Sequence, residues 1–516
     1  MKKVTTFGTA LGLLTLGVSA FAQFTSGNLV VSVVRSAANP PANPTSAATR
    51  HILREITTSG AASAADVNIY GRATEVTGNN RRANTSGSAT SEGYISLSTN
   101  GRYIIFVGYD AEIGTTGIAA TAVATVNRVI GRYDWALPPT ATSLDTSTVI
   151  TNGYDGNNIR SAASVDGSAF WASGTSTPAG TGGVRYIEYS ATPTGTSTQI
   201  STTVVNTRVI NIFNGQLYVS SATTPNIGLN SVGTGLPTTS GETITNLTTG
   251  AGNYDFVFEG EDTVYIADES SAANNGGLQK WVRSGGTFTN TVTYSIPNAT
   301  ATGFVGLRGL TQESSTVFYA TTTDTLQRVV KIELINGGAS ATDRTVNLVL
   351  VAATGEFFRD VLLLPSLNNS ASGTIAFQVG LENVPLNQPL TIILTPAVGT
   401  PITQTVTPDA NGNFSTQPVP PGNYRLRVKT AGTLSEATNI NLSSGNVSGL
   451  TFTLRGGDIN NDNATDIGDL LLLIGVYNKR STDAGFSPTA DLNNDGADDI
   501  GDLLIIISRY NQLGNN

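Results

Sequence analysis

Two acidic loops near the C-terminus have side chains and a spacing that suit calcium. The segment DINNDNATDIGDLLLLIGVYN, residues 458–478, recurs as DLNNDGADDIGDLLIIISRYN, residues 491–511. In each copy Asp and Asn side chains occupy loop positions 1, 3, 5, 9 and 12, and position 7 supplies a backbone carbonyl. Calcium takes about six to eight oxygen ligands, and a loop with this alternation wraps them around one ion. The predicted ligands of two calcium ions are Asp458, Asn460, Asp462, Ala464, Asp466 and Asp469 in the first loop, and Asp491, Asn493, Asp495, Ala497, Asp499 and Asp502 in the second.

Each loop needs a tight turn inside it and a helix after it. Position 6 requires a left-handed backbone, which Gly496 adopts freely and which Asn463 adopts better than other side chains do. Position 12 is expected to begin the helix. Apolar side chains then follow at i, i+3, i+4 and i+7, so each helix should have one apolar face and the two faces should pack together. They are Leu470, Leu473, Ile474 and Tyr477 in the first copy, and Leu503, Ile506, Ile507 and Tyr510 in the second.

These paired loop–helix units, with Asp at position 12 and a short linker between them, resemble a dockerin module. The sequence FSPTADLNNDG, which overlaps the start of the second loop, adds to the likeness. The resemblance covers residues 456–516 and implies that a cohesin-like protein module docks on residues 457–516. Loop positions 10 and 11 are Ile467-Gly468 and Ile500-Gly501, which departs from the cellulosomal pattern where it helps to select the partner. The identity of the partner therefore stays open.

A small β-sandwich is predicted for residues 366–455, ahead of the loops. GTIAFQVGLE, PLTIILTPA, TQTVTPDANGNFST and GNYRLRVKT read as strands at near-regular spacing, with tight turns at Asn411-Gly412 and Pro420-Pro421-Gly422. The run TPDANGNFSTQPVPPGNYRLRVKT resembles the carboxypeptidase-regulatory-like, transthyretin-like sandwiches of secreted bacterial proteins. That resemblance implies a spacer or a binding unit.

A motif of a turn followed by a hydrophobic strand recurs through residues 23–365. Its copies are 66, 48, 47 and 53 residues apart, and a further strand often follows each of them. Several strands per unit at this period predict a β-propeller of six or seven blades, closed by the strand-like ends GNLVVSVVRS and FFRDVLLLP. The gap of 66 residues is a long insertion or a degenerate blade, and an irregular sandwich or a solenoid is the alternative fold. The copies align at Ile104, Phe170, Tyr218, Tyr265 and Phe318.

Residues 1–22 read as a secretory signal peptide. Lys2 and Lys3 precede an apolar stretch, and Ala20-Phe21-Ala22 gives the small-x-small pattern before cleavage at Gln23. The apolar stretch is too short to span a bilayer well, and no second one follows. We therefore expect a secreted protein, extracellular or at the cell surface, without a transmembrane segment in the mature chain. The alternative is a retained N-terminal anchor.

The composition limits the possible chemistry. The chain has no Cys and a single His, so disulfides, thiolate chemistry, Cys-based zinc sites and multi-His metal sites are excluded. The formal net charge is −9, and the residues from Gly457 onwards carry −7 of it. No basic patch for nucleic acid is therefore predicted.

Other residues could act in catalysis, but each has a commoner structural role. The single histidine, His51, lies in the strand-like ATRHILREI and is expected to be a strand or surface residue. Carboxylates could cleave glycosides if two of them faced one cleft about 5–10 Å apart. The tryptophans could stack on sugars, but burial in the core is the better expectation. The carboxylates are Asp110, Glu112, Glu259, Glu261 and Asp262, and the tryptophans are Trp135, Trp171 and Trp281.

Together these features favour a binding or scaffolding protein whose calcium-loaded tail attaches the propeller outside the cell. The propeller would take a carbohydrate or a cell-surface ligand. The alternative is an extracellular enzyme acting on polysaccharide, a glycoside hydrolase or lyase with its active site in the propeller. An acid pair in the central channel would favour the enzyme, and a lining of Thr, Ser and Asn would favour binding.

Overall fold

The computed structural model describes residues 24–37, 42–137, 139–248, 250, 253–270, 276–365, 370–377, 381, 383–396, 401–417, 419, 423–442 and 446–515. Within them the chain is mainly β, with two α-helices near the C-terminus. No described helix combines the length and the apolar character that crossing a bilayer requires. The predicted signal peptide lies outside the described residues.

Six antiparallel sheets follow one another between Leu29 and Leu363. In most of them the strands pair in the order in which the chain makes them, because short turns join hydrophobic strands. Sheet 1 contains Glu356–Leu363, Leu29–Arg35, Ala48–Ile56 and Val67–Asn68; sheet 2, Ser96–Leu97, Tyr103–Tyr109, Arg128–Asp134 and Leu144–Ile150; sheet 3, Ile159–Ala163, Ala169–Gly174, Arg185–Glu188 and Thr198–Gln199; sheet 4, Thr207–Phe213, Gln216–Ser221, Gly228–Val232 and Ile244–Asn246; sheet 5, Asn253–Phe258, Thr263–Asp268, Gly277–Ser284 and Thr287–Tyr294; sheet 6, Leu307–Ser314, Val317–Thr322, Arg328–Leu334 and Arg344–Val351.

Short elements complete this part of the chain. Thr85–Ser86 pairs with the strand Ala48–Ile56 of sheet 1, and Ile296–Pro297 pairs with Phe304–Val305. In the described part of the chain, the 3-10 helices are Ala73–Glu75, Ile118–Ala120 and Asn336–Gly338.

Each sheet packs on the next through a buried apolar cluster, and the sixth packs on the first. A sheet of four short strands cannot bury its own two faces. In this succession each sheet packs between two neighbours, which bury both faces. Tyr265 and Ala267 of sheet 5, for example, pack on Phe318 and Ala320 of sheet 6. The cluster between sheets 6 and 1 contains Tyr319, Val329, Leu29, Val31 and Phe358.

The first and last strands of this region lie side by side in sheet 1. Leu29–Arg35 pairs antiparallel with Glu356–Leu363, with Val31 opposite Val361 and Arg35 opposite Glu356. The first strand therefore lies between the last strand and Ala48–Ile56. The prediction that the two ends share one sheet is confirmed.

The recurring motif predicted the second strand of five sheets. All five aligned residues, from Ile104 to Phe318, lie in the second strand of sheets 2 to 6 and are buried or half-buried. The gap of 66 residues is explained by an insertion between Tyr103–Tyr109 and Arg128–Asp134 that contains only a 3-10 helix. Among the described residues, six such sheets are found between Leu29 and Leu363.

Two further four-stranded sheets form the predicted sandwich. Their facing apolar side chains, such as Ile375 and Phe452 on one sheet and Ile392 and Leu426 on the other, make a separate core. One sheet has the order Asn413–Ser415, Ala371–Phe377, Val447–Asp458, Gly432–Leu434, and the other has the order Ile402–Val406, Leu390–Pro396, Asn423–Lys429, Glu436–Asn441.

The tail packs against the sandwich. Its helices are α1 (Ile467–Val476) and α2 (Ile500–Arg509), and each acidic loop is tied by a short pairing to the segment after the other repeat's helix. The pairings join Ala464–Thr465 to Gln512–Leu513 and Lys479–Arg480 to Ala497–Asp498. One apolar cluster unites both helices with the sandwich; it includes Leu381, Ile459, Leu473, Leu492, Ile505 and Ile506.

Candidate metal centre

The first acidic loop starts at the end of a sandwich strand. Because the strand Val447–Asp458 continues without a break, Asp458 at loop position 1 is held on a rigid element, and it is fully buried. Its Oδ2 accepts the Asn463 amide at 3.0 Å and so closes the loop. Its Oδ1 is buried and has no hydrogen-bond partner among the described residues. Lys429 pairs with this carboxylate through Oδ2, but the buried Oδ1 receives no donor, which is costly, so Oδ1 is the atom of Asp458 that fits a metal ligand.

Asp469, at position 12, gathers the backbone of the same loop. Its Oδ1 accepts the amides of Ile459 at 2.7 Å and Asn460 at 3.1 Å, and its Oδ2 accepts the Asp466 amide at 2.9 Å. Asp466 in turn accepts the Gly468 amide at 2.7 Å. The two carboxylates therefore bring both ends of the loop together, as a loop that encloses an ion requires.

The second loop repeats this arrangement. Asp491 accepts the Gly496 amide at 3.0 Å, as Asp458 accepts the equivalent amide in the first loop. Asp502 accepts the amides of Leu492 at 2.8 Å and Asp499 at 2.8 Å. Two loops that are 33 residues apart thus fold in the same way, which indicates that the acidic pattern specifies the turn.

The left-handed turn at position 6 is confirmed in both loops. Asn463 has φ of 72° and Gly496 has φ of 86°. Position 4 is also left-handed, with φ of 66° at Asn461 and 56° at Asn494. This second turn was not predicted from the sequence, although Asn, the non-glycine residue that tolerates this conformation best, stands there in both copies.

The helices begin earlier than predicted. Asp466 and Asp499, at position 9, are the N-caps, so α1 begins at Ile467 and α2 at Ile500, and not at position 12. The prediction was wrong because the aspartate at position 12 is the N3 residue of a capping box, in which its carboxylate accepts the N-cap amide. The capping box gives Asp469 and its counterpart a structural task in addition to any ligand role.

The predicted inner helix face was also partly wrong. Leu473 and Ile506 are buried, and Leu470 and Leu503 are half-buried against the same cluster. The remaining four members of the pattern are exposed: Ile474 by 56 %, Ile507 by 57 %, Tyr477 by 37 % and Tyr510 by 43 %. The run LLLLI is apolar all round, so its period did not decide which side would meet the sandwich.

The exposed side of each helix presents a stripe of large apolar side chains. On α1 it contains Ile467, Leu471 and Ile474, which are spaced i, i+4, i+7 along one face. On α2 the equivalent residues Ile500, Leu504 and Ile507 are exposed by 54 %, 58 % and 57 %. We call these six residues the apolar stripes. Contiguous exposed apolar surface of this kind is typical of an interaction site.

The charges of the two loops differ in one respect. Lys429, on a sandwich strand, pairs with Asp458, whereas no lysine or arginine among the described residues is seen to pair with Asp491. Burial raises the pKa of Asp502 to about 6 and also raises the pKa of Asp458, although Lys429 acts in the opposite direction there.

Within the described ranges no three His, Cys, Asp or Glu side chains converge as a metal site; the loop carboxylates accept backbone amides. Calcium at these ligands therefore stays a prediction.

The residues considered for catalysis have structural roles. His51 is fully buried on a strand, with Nε2 2.8 Å from Ser32 Oγ, and burial together with the charge of Arg359 lowers its pKa to about 3. Asp110 pairs with Arg82 at 2.8 Å. Among the other candidates, Asp262 pairs with Arg283, Glu112 pairs with Arg82, and Trp135, Trp171 and Trp281 are buried and each donates a hydrogen bond from Nε1.

A buried acid pair lies where four sheets meet. Asp255 of sheet 5 and Asp360 of sheet 1 are hydrogen-bonded to each other, and their oxygens also accept the amides of Leu310 at 2.8 Å and Ile95 at 3.0 Å. Burial raises the pKa of Asp255 to about 7, and burial together with the charge of Asp255 raises the pKa of Asp360 well above its usual range. Carboxyl groups in direct contact are closer than the separation of about 5 Å or more that glycosidases use.

This acid pair should make stability depend on pH. Both carboxyls have folded-state pKa values above the unfolded value, so their contribution is complete below about pH 4 and is lost as the pH rises through about 7. Asp360→Asn, which cannot ionise, should remove a pH-dependent component on the order of a few kcal/mol. Urea unfolding of both proteins across this range measures the difference. Asp262→Asn, at an exposed position, is the control and should keep the full dependence; an unchanged curve for Asp360→Asn would contradict the assignment.

Comparison with known proteins identifies one part of the chain. Residues 389–455 match the family described as carboxypeptidase regulatory-like domain, in agreement with the predicted sandwich. The search of curated proteins finds no match. Because the matched family covers only this segment, it does not classify the whole chain.

Solved structures resemble the remainder at low similarity. A type II cohesin–X–dockerin complex from Acetivibrio cellulolyticus shares 24 % identity over 28 % of this chain and 97 % of that chain, with a TM-score of 0.24. A provisionally named 6-phosphogluconolactonase from Bacteroides fragilis shares 11 % identity over 77 % of this chain and 96 % of that one, with a TM-score of 0.36. A protein from Lactobacillus plantarum shares 11 % over 76 % and 98 %, with a TM-score of 0.37.

Proposed function

We propose that this chain is a secreted attachment protein with a calcium-dependent docking tail. Residues 456–516 form a dockerin-like module that binds two calcium ions and docks on a cohesin-like protein module. The observation that carries the proposal is the duplicated unit of acidic loop and helix, in which each helix exposes an apolar stripe. The part formed by sheets 1 to 6 is a six-bladed β-propeller that binds or displays a ligand.

Three features of the loops support calcium. Both loops have the left-handed residue at position 6 that the ligand alternation needs, at Asn463 and Gly496. Both place the carboxylate of position 12 next to the start of the loop. In the first, the buried Asp458 Oδ1 has no other partner among the described residues. The predicted ligand atoms of both loops are oxygens, and oxygen is the ligand atom that calcium prefers.

The apolar stripes support docking. Six large side chains that are more than half exposed, Ile467, Leu471, Ile474 and their three counterparts on α2, would otherwise be a cost in solubility. The loop carboxylates lie at the N-terminal ends of the same helices. Calcium would therefore hold the helices, and through them the stripes, in the arrangement that a partner binds.

The propeller proposal rests on the succession of six sheets and on the pairing of the terminal strands in sheet 1. The alternative function, polysaccharide cleavage, has less support. The buried acid pair of sheets 1 and 5 is in direct contact, and its oxygens accept backbone amides. Catalytic carboxylates would need to face a cleft at a greater separation.

Substitution of the stripes tests the docking proposal. The mature chain, immobilised with calcium, should retain a cohesin-like module from extracellular proteins and should release it when calcium is chelated. Leu471→Asp together with Leu504→Asp should weaken retention at least about tenfold, because both side chains are exposed centres of their stripes. Leu348→Asp is the matched control, since Leu348 is exposed by 59 % on sheet 6 and should not matter. Equal retention by the double variant would refute the proposed docking surface.

A further inference from the structure

The inner strands of the six sheets place arginine or tyrosine at equivalent positions. The first strands of sheets 3 to 6 and the strand Glu356–Leu363 of sheet 1 contact one another between neighbouring sheets, and the first two strands of sheet 2 contact Ile159–Ala163 of sheet 3. Arg359 in sheet 1, Arg160 in sheet 3, Arg208 in sheet 4, Tyr254 in sheet 5 and Arg308 in sheet 6 occupy such strands. Tyr94 lies directly before the corresponding strand of sheet 2. We call these six residues the inner ring.

Contacts between side chains join members of the inner ring. The Arg208 guanidinium lies 4.1 Å from the centre of the Tyr254 ring, and the rings of Tyr254 and Tyr94 are 5.8 Å apart. Glu269 bridges two arginines, with 3.2 Å to Arg308 Nε and 3.7 Å to Arg208 Nη1. These contacts join four members of the inner ring into one cluster.

Arg359 reaches the same cluster from sheet 1. Its Cγ packs against Gly93, the neighbour of Tyr94, so closely that a Cβ on Gly93 would lie 3.0 Å from it. The charge of Arg308 also acts on Arg359, and the charge of Arg208 acts on Arg160. The four guanidinium groups thus share one region although four different sheets supply them.

Several buried donors of the inner ring have no acceptor. Nε of Arg160, Nε of Arg208, Nε of Arg359 and the Tyr94 hydroxyl make no hydrogen bond within the described chain. Tyr94 is fully buried, and Arg359 is 1 % exposed. Buried donors in proteins almost always have acceptors, so several such donors in one region indicate a missing acceptor group. An arginine Nε–H group can only donate a hydrogen bond, and the Tyr94 hydroxyl donates one readily to an anion.

The arginine charge in this region is compensated only in part. Four arginines share it with Glu269, the buried Glu92 and the acid pair Asp255 and Asp360, and burial raises the pKa values of Glu92, Asp255 and Asp360, which favours their neutral forms. Burial, followed by the charge of a neighbouring arginine, lowers the pKa values of Arg160 and Arg359, each to about 10, so both stay charged at neutral pH. Like charges in an enclosed place repel each other unless an anion lies between them.

We propose that the inner ring binds an oxyanion group, a carboxylate, phosphate or sulfate, through the guanidinium groups of Arg160, Arg208, Arg308 and Arg359 and the Tyr94 hydroxyl. Guanidinium groups suit such ligands because their donors match two oxygens at once. The side chains of Arg208 and Arg308 are 18 % and 12 % exposed, whereas Arg359 is 1 % exposed, so an anion would meet the first two before Arg359. The proposal adds a ligand chemistry to the propeller and depends on neither calcium nor docking.

Calorimetric titration of the mature chain at low ionic strength tests this site. Inorganic phosphate, sulfate and glucuronate are titrated separately, so that a simple anion is distinguished from a carboxylated sugar. We expect at least one of them to bind with saturation. Arg208→Gln and Arg308→Gln should each weaken that binding about tenfold, since each removes one charged donor.

Tyr94→Phe separates binding from folding. It removes only a hydroxyl that has no partner within the described chain, so the melting temperature without anion should not fall. The affinity for the anion should nevertheless fall several-fold. Arg283→Gln is the control, because Arg283 pairs with Asp262 at the surface of sheet 5 and should leave binding unchanged. The proposal is wrong if none of the three anions binds, or if the inner-ring variants bind as the unchanged protein does.

Discussion

The mature chain should bind two calcium ions, and Asp458→Ala should reduce the number to one. The four carboxylates of each loop repel one another without a cation, so we expect calcium to bind the folded loop and stabilise it. At about 100 times its dissociation constant, each ion would stabilise the folded tail by about 2.7 kcal/mol. Asp469→Ala should remove the same site as Asp458→Ala, and Asp491→Ala or Asp502→Ala the other. Titration calorimetry gives the number of ions.

The two sites should not be independent or equal. Each substitution should also weaken the remaining site, because α1 and α2 share one apolar cluster with the sandwich. The first site should be the weaker one, since Asn463 has a strained left-handed backbone and Lys429 already pairs with Asp458. Asp483→Ala, outside both loops, is the control and should keep two sites. Two ions bound by the Asp458→Ala protein, or none by the unchanged chain, would contradict the assignment of ligands.

Deletion of residues 24–36 should unfold all six sheets together. The strand Leu29–Arg35 lies between two neighbours in sheet 1, and five of its side chains are completely buried: Leu29, Val30, Val31, Val33 and Val34. Burial of each such side chain is worth about 1.5–3 kcal/mol, so their sum reaches the whole stability of a typical domain, about 5–15 kcal/mol. Differential scanning calorimetry should therefore show no cooperative transition from these sheets.

A larger deletion at the other end provides the comparison. A chain that ends at residue 365 loses the sandwich and the tail but keeps both strands that meet in sheet 1. It should retain the transition that the shorter N-terminal deletion abolishes. If the chain without residues 24–36 melts with the same enthalpy as the intact one, the terminal strands do not hold the six sheets together.

Local patterns in the sequence predicted much of the fold. The turn-and-strand motif placed Phe170 and Tyr265 correctly in the second strand of their sheets, because a turn residue and alternating burial are properties of neighbouring residues. The left-handed turn at Asn463 followed in the same way from the loop spacing. The pairing of the two terminal strands could also be predicted, since both ends are strand-like and a closed ring of sheets requires them to meet.

Contacts between distant segments could not be predicted in this way. Nothing in the sequence around Arg160 or Arg359 distinguishes a buried arginine from one at the surface, because burial there results from the packing of other sheets. The exposed side of α1 could not be predicted for the same reason. Its apolar run offers several faces, and the sandwich residue Leu381 together with the second helix determines which of them is covered.

The strand Val447–Asp458 has a consequence for how this tail could be grafted onto other proteins. It crosses the predicted boundary at residue 455 and ends at Asp458, the first predicted calcium ligand. Ser435 and Asn383 of the sandwich also bind the tail, through the Asn463 side chain at 2.9 Å and the Asn494 side chain at 3.0 Å. A graft of residues 456–516 alone would expose the side of the apolar cluster that the sandwich covers, and Asp458 would lose the strand that holds it. The transferable cassette is therefore residues 370–515, the sandwich and the tail together.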